Sequence, residues 1–460
     1  MGGAGVTEQA VKPQSSLLPY IWLVLSVGAL AAISNMFGAQ ILEQLRHLED
    51  APTEPILAPV ALFALCSFLS FYATKGTPIP SFVVAIALGI AGHTFFEPIV
   101  KNPPVLAAFV TGSAAVILFS GGLEMPLKDF MRLLVKIALL AFPGVLLTGF
   151  AFSHVTMAAS GALGFPVAAM VAILLGGILA STDPAAIIPV LQGVKFKRPD
   201  AKDIVVAESA LNDVVGTLLV SAFLKLPLAA MTIAAAYAAL ATPQTYGFLA
   251  EQAGFGVLFG FAGFALLWFL SRIKKRNPQA YGADQIYFLA APIVAFTAAA
   301  AFGGSGFLAA FVAGLLFHIE EHMKGVEHFF YQVMDGVAKP IIFLLVGALV
   351  DVHALIQYAP AGIAIALIFM FVLRPAMVFA MLGVYTLFSG RRALSVKELL
   401  FISFVRETGA IPAVLLVAVV SQITTPLPGL VEIGMWVILL TLILAPPLTP
   451  FVARKLGLAE

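Results

Sequence analysis

The chain has 460 residues, 61% hydrophobic and 11% charged, with a mean hydropathy of +1.03. Soluble domains carry about 25% charged residues, so the composition excludes a water-soluble enzyme or binding module and predicts an all-α polytopic membrane protein. A net charge of +1 says nothing about acidic partners, no nucleic-acid partner is expected, and the single cysteine, Cys66, rules out an intrachain disulfide and a zinc–cysteine centre.

Apolar runs bounded by turn or charge signals predict spans at 17–37, 56–74, 80–97, 104–122, 130–154, 166–193, 203–224, 253–273, 284–302, 304–319, 338–352, 359–388, 398–421 and 430–453. That makes about fourteen transmembrane helices. The first run resembles a signal peptide in its small residues. Its positive flank is weak (Lys12 against Glu8) and the run is long, so it reads as a retained span. Residues 227–247 are apolar but rich in small side chains. A full span there would invert everything downstream, so a re-entrant or surface helix is expected.

Lysine and arginine set the orientation. With the N-terminus in the cytoplasm, Lys195, Lys197, Arg198, Lys202, the 272–276 cluster, Arg391, Arg392, Arg454 and Lys455 all face the cytoplasm. Arg46, Lys101 and Lys225 fall outside, and Lys339, Arg374 and Arg406 lie within spans. Both termini are then cytoplasmic, in a multi-pass protein of a bacterial inner or plasma membrane.

Polar residues inside apolar spans carry the functional signal. The 203–224 run, roughly 33 Å as a helix, holds Glu208, Ser209, Asn212 and Asp213 near its middle. Their i,i+4 spacing stacks them on one face. Acids at that depth cost several kcal/mol unless partnered or hydrated, and they mark ion or proton pathways. In 166–193, Asp183 precedes Pro184. The residue before proline is pushed out of the helical region, and Asp-Pro suits a helix start. The run therefore reads as two half-helices broken at 181–183, where free carbonyls can meet a cation. Arg406, Glu407, Gly409 and Pro412 interrupt 398–421 at similar depth. The two interrupted runs point in opposite directions, as do their flanking spans. Two inverted-topology repeats with crossing broken helices are the architecture of secondary transporters. Arg374, always charged, needs a carboxylate. Glu208 is its first candidate partner and Glu407 its second. Arg406 and Glu407 are expected to compensate the half-helix dipoles at the second break.

These residues resemble the monovalent cation–proton antiporter superfamily, in its sodium–proton exchanger branch with the Asn-Asp motif. The matching pieces are Thr182-Asp183-Pro184, Glu208-Ser209-x-x-Asn212-Asp213 and Arg374-Pro375, with GGSGFLAAFVAGLLF at 303–317 and PIIFLLVGALVD at 340–351 also similar. The resemblance covers about 56–453 and implies a core-and-scaffold homodimer with an elevator-like movement. Residues 1–55 would then be an extra helix and outer loop. Segments 56–122 and 253–352 would be scaffold and dimer helices, and 130–224 and 359–453 the two core repeats. It further implies cation and proton contacts from Asp183, Asp213, Ser209 and the Thr182 backbone beside Asn212, a structural Glu208–Arg374 pair, and electroneutral exchange. Two departures stand out. Ser120 replaces an acid that many relatives carry, and the second break reads Arg406-Glu407-Thr408-Gly409-Ala410 rather than Arg-Gly-Ala.

The expected activity is antiport of Na+ (or K+ or Li+) against H+, both competing for Asp183 and Asp213, with no catalytic residue and no cofactor. The alternatives are a cation channel using the same acids, or an intramembrane protease. His318-Ile-Glu-Glu321-His322 fits a zinc-peptidase pattern but has no evident third ligand. His318, His322 and His328, near Glu320, Glu321 and Glu327, are instead expected to form a pH-sensing cluster at a cytoplasmic helix end. In that arrangement His318 and His322 share one face.

Overall fold

The computed structural model describes residues 18–46, 54–74, 80–182, 190–191, 193–276, 283–389, 394–423 and 425–460. The architecture is all-helical. Among the described residues the sole β pairing is the isolated bridge between Phe196 and Ala459.

Nine helices among the described residues are long and apolar enough to cross a membrane, where about fourteen spans were expected. The difference lies in helices that are short or bent. Val60–Tyr72, Ala169–Leu179, Gly306–Leu316 and Ala410–Gln422 are apolar but short. An 11-residue helix rises about 16 Å, roughly half of a bilayer's hydrocarbon core. The span expected at 80–97 is not straight: Ser81–Ala91 and His93–Val100 meet at 87°. Gly92 makes this corner at φ −96°, ψ 14°, outside the helical well.

Other boundaries shift for similar local reasons. The span expected at 253–273 is part of one long helix, Pro243–Arg276. Before it, 227–247 holds a 3-10 turn, Leu228–Ala230, and a seven-residue helix, Ile233–Ala239, too short to cross. The latter packs on Val145–Ala162 and Ala169–Leu179. The helix expected to begin at 338 is continuous from Glu321 to Ala348. Prolines leave π turns along the long spans. One is at Leu140–Gly144 around Pro143, one at Met334–Ala338 before Pro340, and one at Phe369–Leu373 before Pro375. A proline removes one donor from the helix ladder, and the widened turn absorbs it.

Glycine lets backbones touch where no side chain would fit. A Cβ on Gly122 would strike the Phe311 carbonyl, and one on Gly314 the Phe119 carbonyl, so Pro103–Leu123 and Gly306–Leu316 lie backbone to backbone. Two short helices position the polar centre. Ala169–Leu179 and Ala410–Gln422 both pack against Asp200–Leu224. Ala410–Gln422 also packs on Pro103–Leu123 and Lys339–Ala348.

Candidate ion-binding site

The Asp200–Leu224 helix buries Glu208, Ser209, Asn212 and Asp213, none more than 3% exposed. They lie where Ala169–Leu179 has ended and the backbone runs non-helical through Ser181 and Thr182. The freed backbone finds its partners on the polar face. The Thr182 N–H donates to Asn212 Oδ1 at 3.0 Å, and Asn212 Nδ2 donates to Thr182 Oγ1 at 2.7 Å. The Ser209 hydroxyl donates to the Thr182 carbonyl and lies 3.1 Å from Thr182 Oγ1. Asn212 and Ser209 thus replace the hydrogen bonds that the helix gives up, which a buried break requires.

Asn212 Nδ2 also donates to Glu208 Oε1 at 2.8 Å. Glu208 takes a fork from Arg374, with Nη1 at 3.0 Å from Oε1 and Nη2 at 2.7 Å from Oε2. Of the two partners weighed for Arg374, the geometry is that of Glu208. Such a bidentate pair is strong and directional. It consumes one of the two buried carboxylates near the middle of the Asp200–Leu224 helix; Asp213 is the other.

The second break spans 405–409, between Val396–Phe404 and Ala410–Gln422. Arg406 reaches across to the first break. Its Nη2 donates to the carbonyls of Leu179 at 2.8 Å and Ala180 at 3.2 Å. Its guanidinium carbon lies 3.8 Å above the Phe369 ring. Arg406 was expected at the dipoles of its own break; it caps the carbonyl end of the other, where the half-helix presents negative partial charge. Glu407 is buried beside it. The Thr408 N–H donates to Thr441 Oγ1 at 3.1 Å. Thr441 was not foreseen. Its signal was one hydroxyl in the otherwise apolar run 433–448.

Asp183 and Pro184 lie outside the described residues, as do Arg391 and Arg392. Ser120 is buried, and its hydroxyl lies 3.4 Å from Glu124 Oε1, one turn along. Among the described residues no three His, Cys, Asp or Glu side chains gather as a metal centre.

The histidines do not form the expected helix-end cluster. Gly306–Leu316 ends early, and Phe317 and Glu320 are extended, so His318 and His322 share no helical face. His318 and His328 are exposed, and His328 Nε2 lies 3.1 Å from Gln332 Nε2. His322 alone is half-buried. Its Nε2 is 3.1 Å from both the hydroxyl and the carbonyl oxygen of Ser271, and its Nδ1 is 3.6 Å from Glu320 Oε2. Lys275 Nζ, 3.1 Å from that same oxygen, is the main reason the Glu320 carboxyl is held below its usual range, with His322 and His318 adding to it.

Comparison with known proteins places this geometry. A family model described as sodium/hydrogen exchanger, transmembrane, matches residues 60–455. The K(+)/H(+) antiporter NhaP of Alkalimonas amylolytica is 29% identical over 334 residues, covering 71% of this chain and 52% of that protein. NhaP2 of Shewanella sp. (strain ANA-3), also named a K(+)/H(+) antiporter, is 28% identical over 362 residues, covering 78% and 59%. The chain therefore spans between half and three-fifths of the length of these curated relatives. The structure of the sodium proton antiporter MjNhaP1 from Methanocaldococcus jannaschii at pH 8 shares the fold with a TM-score of 0.63. It is 21% identical, covering 87% of this chain and 99% of that one.

Proposed function

The chain belongs to the transmembrane sodium/hydrogen exchanger family, and on that premise we propose that it is a secondary antiporter exchanging a monovalent cation, Na+ or K+, for H+. The observation that carries this reading is Asp213. It is a carboxylate buried in the middle of a membrane helix, beside the Ser209 hydroxyl and the irregular Thr182 backbone. Carboxylate, hydroxyl and carbonyl oxygens are the ligands hard cations take. The Ser209 hydroxyl can rotate from the Thr182 carbonyl toward a cation, releasing that carbonyl as a second ligand. Asp183, next in sequence to Thr182, is the second acid of the proposed site.

Exchange follows from charge burial. An empty site leaves a carboxylate uncompensated in low dielectric, which opposes movement of the helices that carry it. A proton or a cation neutralises it. Either loaded form can move, and the empty form cannot. Protons and cations then compete for the same carboxylate oxygens. Glu208–Arg374 is neutral as a pair and holds the Asp213 helix without taking part. We further propose one-for-one, electroneutral exchange by a homodimer in a bacterial inner membrane, with both termini cytoplasmic. In that dimer 130–224 and 359–453 would move against 56–122 and 253–352.

Purified protein in proteoliposomes tests this. Imposed Na+ or K+ gradients are expected to drive proton movement, and Asp213→Asn should abolish it while the protein melts as before. Unaltered exchange by Asp213→Asn would remove the site assignment. Conductance without coupled proton movement would remove antiport itself.

A further inference from the structure

A cleft of about 220 Å³ opens on the proposed cytoplasmic face, lined by Lys197, Arg198, Ser395, Glu398 and Leu458 among others. Three segments meet there: the loop after the first broken run, the start of Val396–Phe404, and the residues that follow Leu430–Lys455. Local structure holds them in place. Gly457, at φ +72°, turns the chain back after the last helix. The returning residues pair with the loop. The Lys197 N–H donates to the Leu458 carbonyl at 2.9 Å, and the Glu460 N–H to the Lys195 carbonyl at 3.1 Å. The Phe196 ring packs edge-on against Phe401, 5.4 Å away.

The cleft's charges are unequally engaged. Glu398 is 4% exposed, and its Oε2 takes both the N–H and the hydroxyl of Ser395 at 2.7 Å, so it is committed to capping its own helix. Lys195 pairs with Glu460 at 3.3 Å. Lys197 and Arg198 are exposed at the rim, and neither side chain has a hydrogen-bond or ion-pair partner among the described residues. The backbone bridge thus fixes two adjacent cations over a small hollow whose remaining wall is Ala201, Ser395, Glu398, Gly457 and Leu458.

We propose that this cleft binds the phosphate of an anionic ligand, clasped by Lys197 and Arg198, and that its source is a phospholipid headgroup of the cytoplasmic leaflet. Arginine's fork and lysine's point charge are the usual phosphate-binding groups. Basic pockets between membrane helices on this side take anionic headgroups. The volume decides against larger ligands: sites for drug-sized molecules run to about 300–1,000 Å³, and this one is smaller. A bound headgroup joins the loop after one broken helix to the inner half of the other and to the end of the last helix. Its occupancy therefore alters the exchange rate, a consequence that rests on the proposed antiport, whereas binding itself does not.

The test titrates purified protein with short-chain phosphatidylglycerol, short-chain phosphatidylcholine and free glycerol phosphate, reading binding and melting. It compares the wild type with Lys197→Gln/Arg198→Gln. Phosphatidylglycerol is expected to bind and raise the melting temperature. The double variant should bind it about 30-fold more weakly, taking roughly 1 kcal/mol per basic residue and 1.4 kcal/mol per decade. Both side chains are exposed, so melting without ligand should be unchanged. If glycerol phosphate binds as well as the lipid and loses affinity in the variant, the cleft is a phosphate site served from solution, and the lipid source is wrong. Retained phosphatidylglycerol affinity in the variant, equal response to phosphatidylcholine, or no binding by the wild type overturns the proposal. None of these readings depends on whether the protein exchanges ions.

Discussion

Arg374→Gln offers the sharpest check on the energetics of the buried centre. The Arg374 and Glu208 side chains are 3% and 2% exposed and share two hydrogen bonds, of 2.7 and 3.0 Å. Among the described residues Arg374 Nε has no hydrogen-bond partner, and the guanidinium's hydrogen bonds go to Glu208. Without it, Glu208 keeps the Asn212 amide at 2.8 Å, a dipole that cannot cancel a full charge, and the more distant charge of Arg406. Losing one partner of a buried pair costs about 3–5 kcal/mol. Glu208→Gln strands the guanidinium in the same way and should cost a similar amount. Glu208→Gln/Arg374→Gln removes both charges and leaves only imperfectly satisfied amides, at about 1–3 kcal/mol. The two single losses would add to several kcal/mol more than the double shows, an interaction of about 3 kcal/mol or greater. The assay is denaturation of the four proteins in one detergent. Single losses that add to within about 0.5 kcal/mol, the behaviour of independent sites, would refute the pair.

Asn212→Ala removes the acceptor for the Thr182 N–H and a donor to Glu208. It should cost about 2–4 kcal/mol in the same melts and weaken apparent cation affinity, because the Thr182 backbone loses its anchor. Arg406→Leu uncovers the carbonyls of Leu179 and Ala180. It is expected to destabilise by about 2–4 kcal/mol, whereas loss under 1 kcal/mol would mean that the capping contributes nothing. The pH dependence of exchange at low cation should shift in His322→Gln and in the triple change of His318, His322 and His328 to Gln by the same amount, since of the three only His322 is half-buried, against Ser271. Glu320 itself does not change charge between pH 6 and 8. Its carboxyl is held below the usual range, so its tie to Lys275 is fully present above the ordinary carboxylate pKa and is lost only as pH falls through the lowered value. A shift in the triple change with none in His322→Gln would remove His322 as the sensor.

Much of the fold was legible because membrane sequences punctuate themselves. Apolar length finds spans, and an acid, an Asp-Pro or an Arg-Glu-Thr-Gly inside one interrupts the pattern. Hence the four polar residues of Asp200–Leu224 and the break at 405–409 could be located from local composition. Gly92 was not legible as an 87° corner, because glycine is common in straight membrane helices and nothing beside it forbids continuation. The 317–320 extension was hidden for the opposite reason: HIEEHMK is a good helical sequence, and the break there is imposed by packing around Phe317 and Met323, both buried. Partners distant in sequence were legible only where charge demanded them. Arg374 needed an acid and Glu208 was near in depth, whereas a backbone carbonyl carries no sequence signal. Arg406 could therefore be recognised as a capping charge but not assigned to the carbonyls it caps.

That cross-connection bears on how the two breaks behave. The end of Ala169–Leu179 presents carbonyls with partial negative charge at the polar centre, which would repel Asp213 and favour a cation there in every state. Arg406 cancels this field from the opposite side, and its guanidinium lies over the Phe369 ring. On the proposed antiport, Asp213 then sets the charge of the site by its own proton or its own ion. The compensation works only while the two breaks stay in register, since Arg406 Nη2 sits at 2.8 and 3.2 Å from its two carbonyls. A displacement of even 1 Å between the broken helices would expose a buried guanidinium and two buried carbonyls together. On the proposed antiport, the movement that carries the ion would take both breaks and the Asp200–Leu224 helix as one body, sliding against the neighbouring Pro103–Leu123 and Lys339–Ala348 helices rather than hinging within the centre. A disulfide engineered between the two breaks should then leave exchange intact, and one joining Pro103–Leu123 to Ala410–Gln422 should stop it.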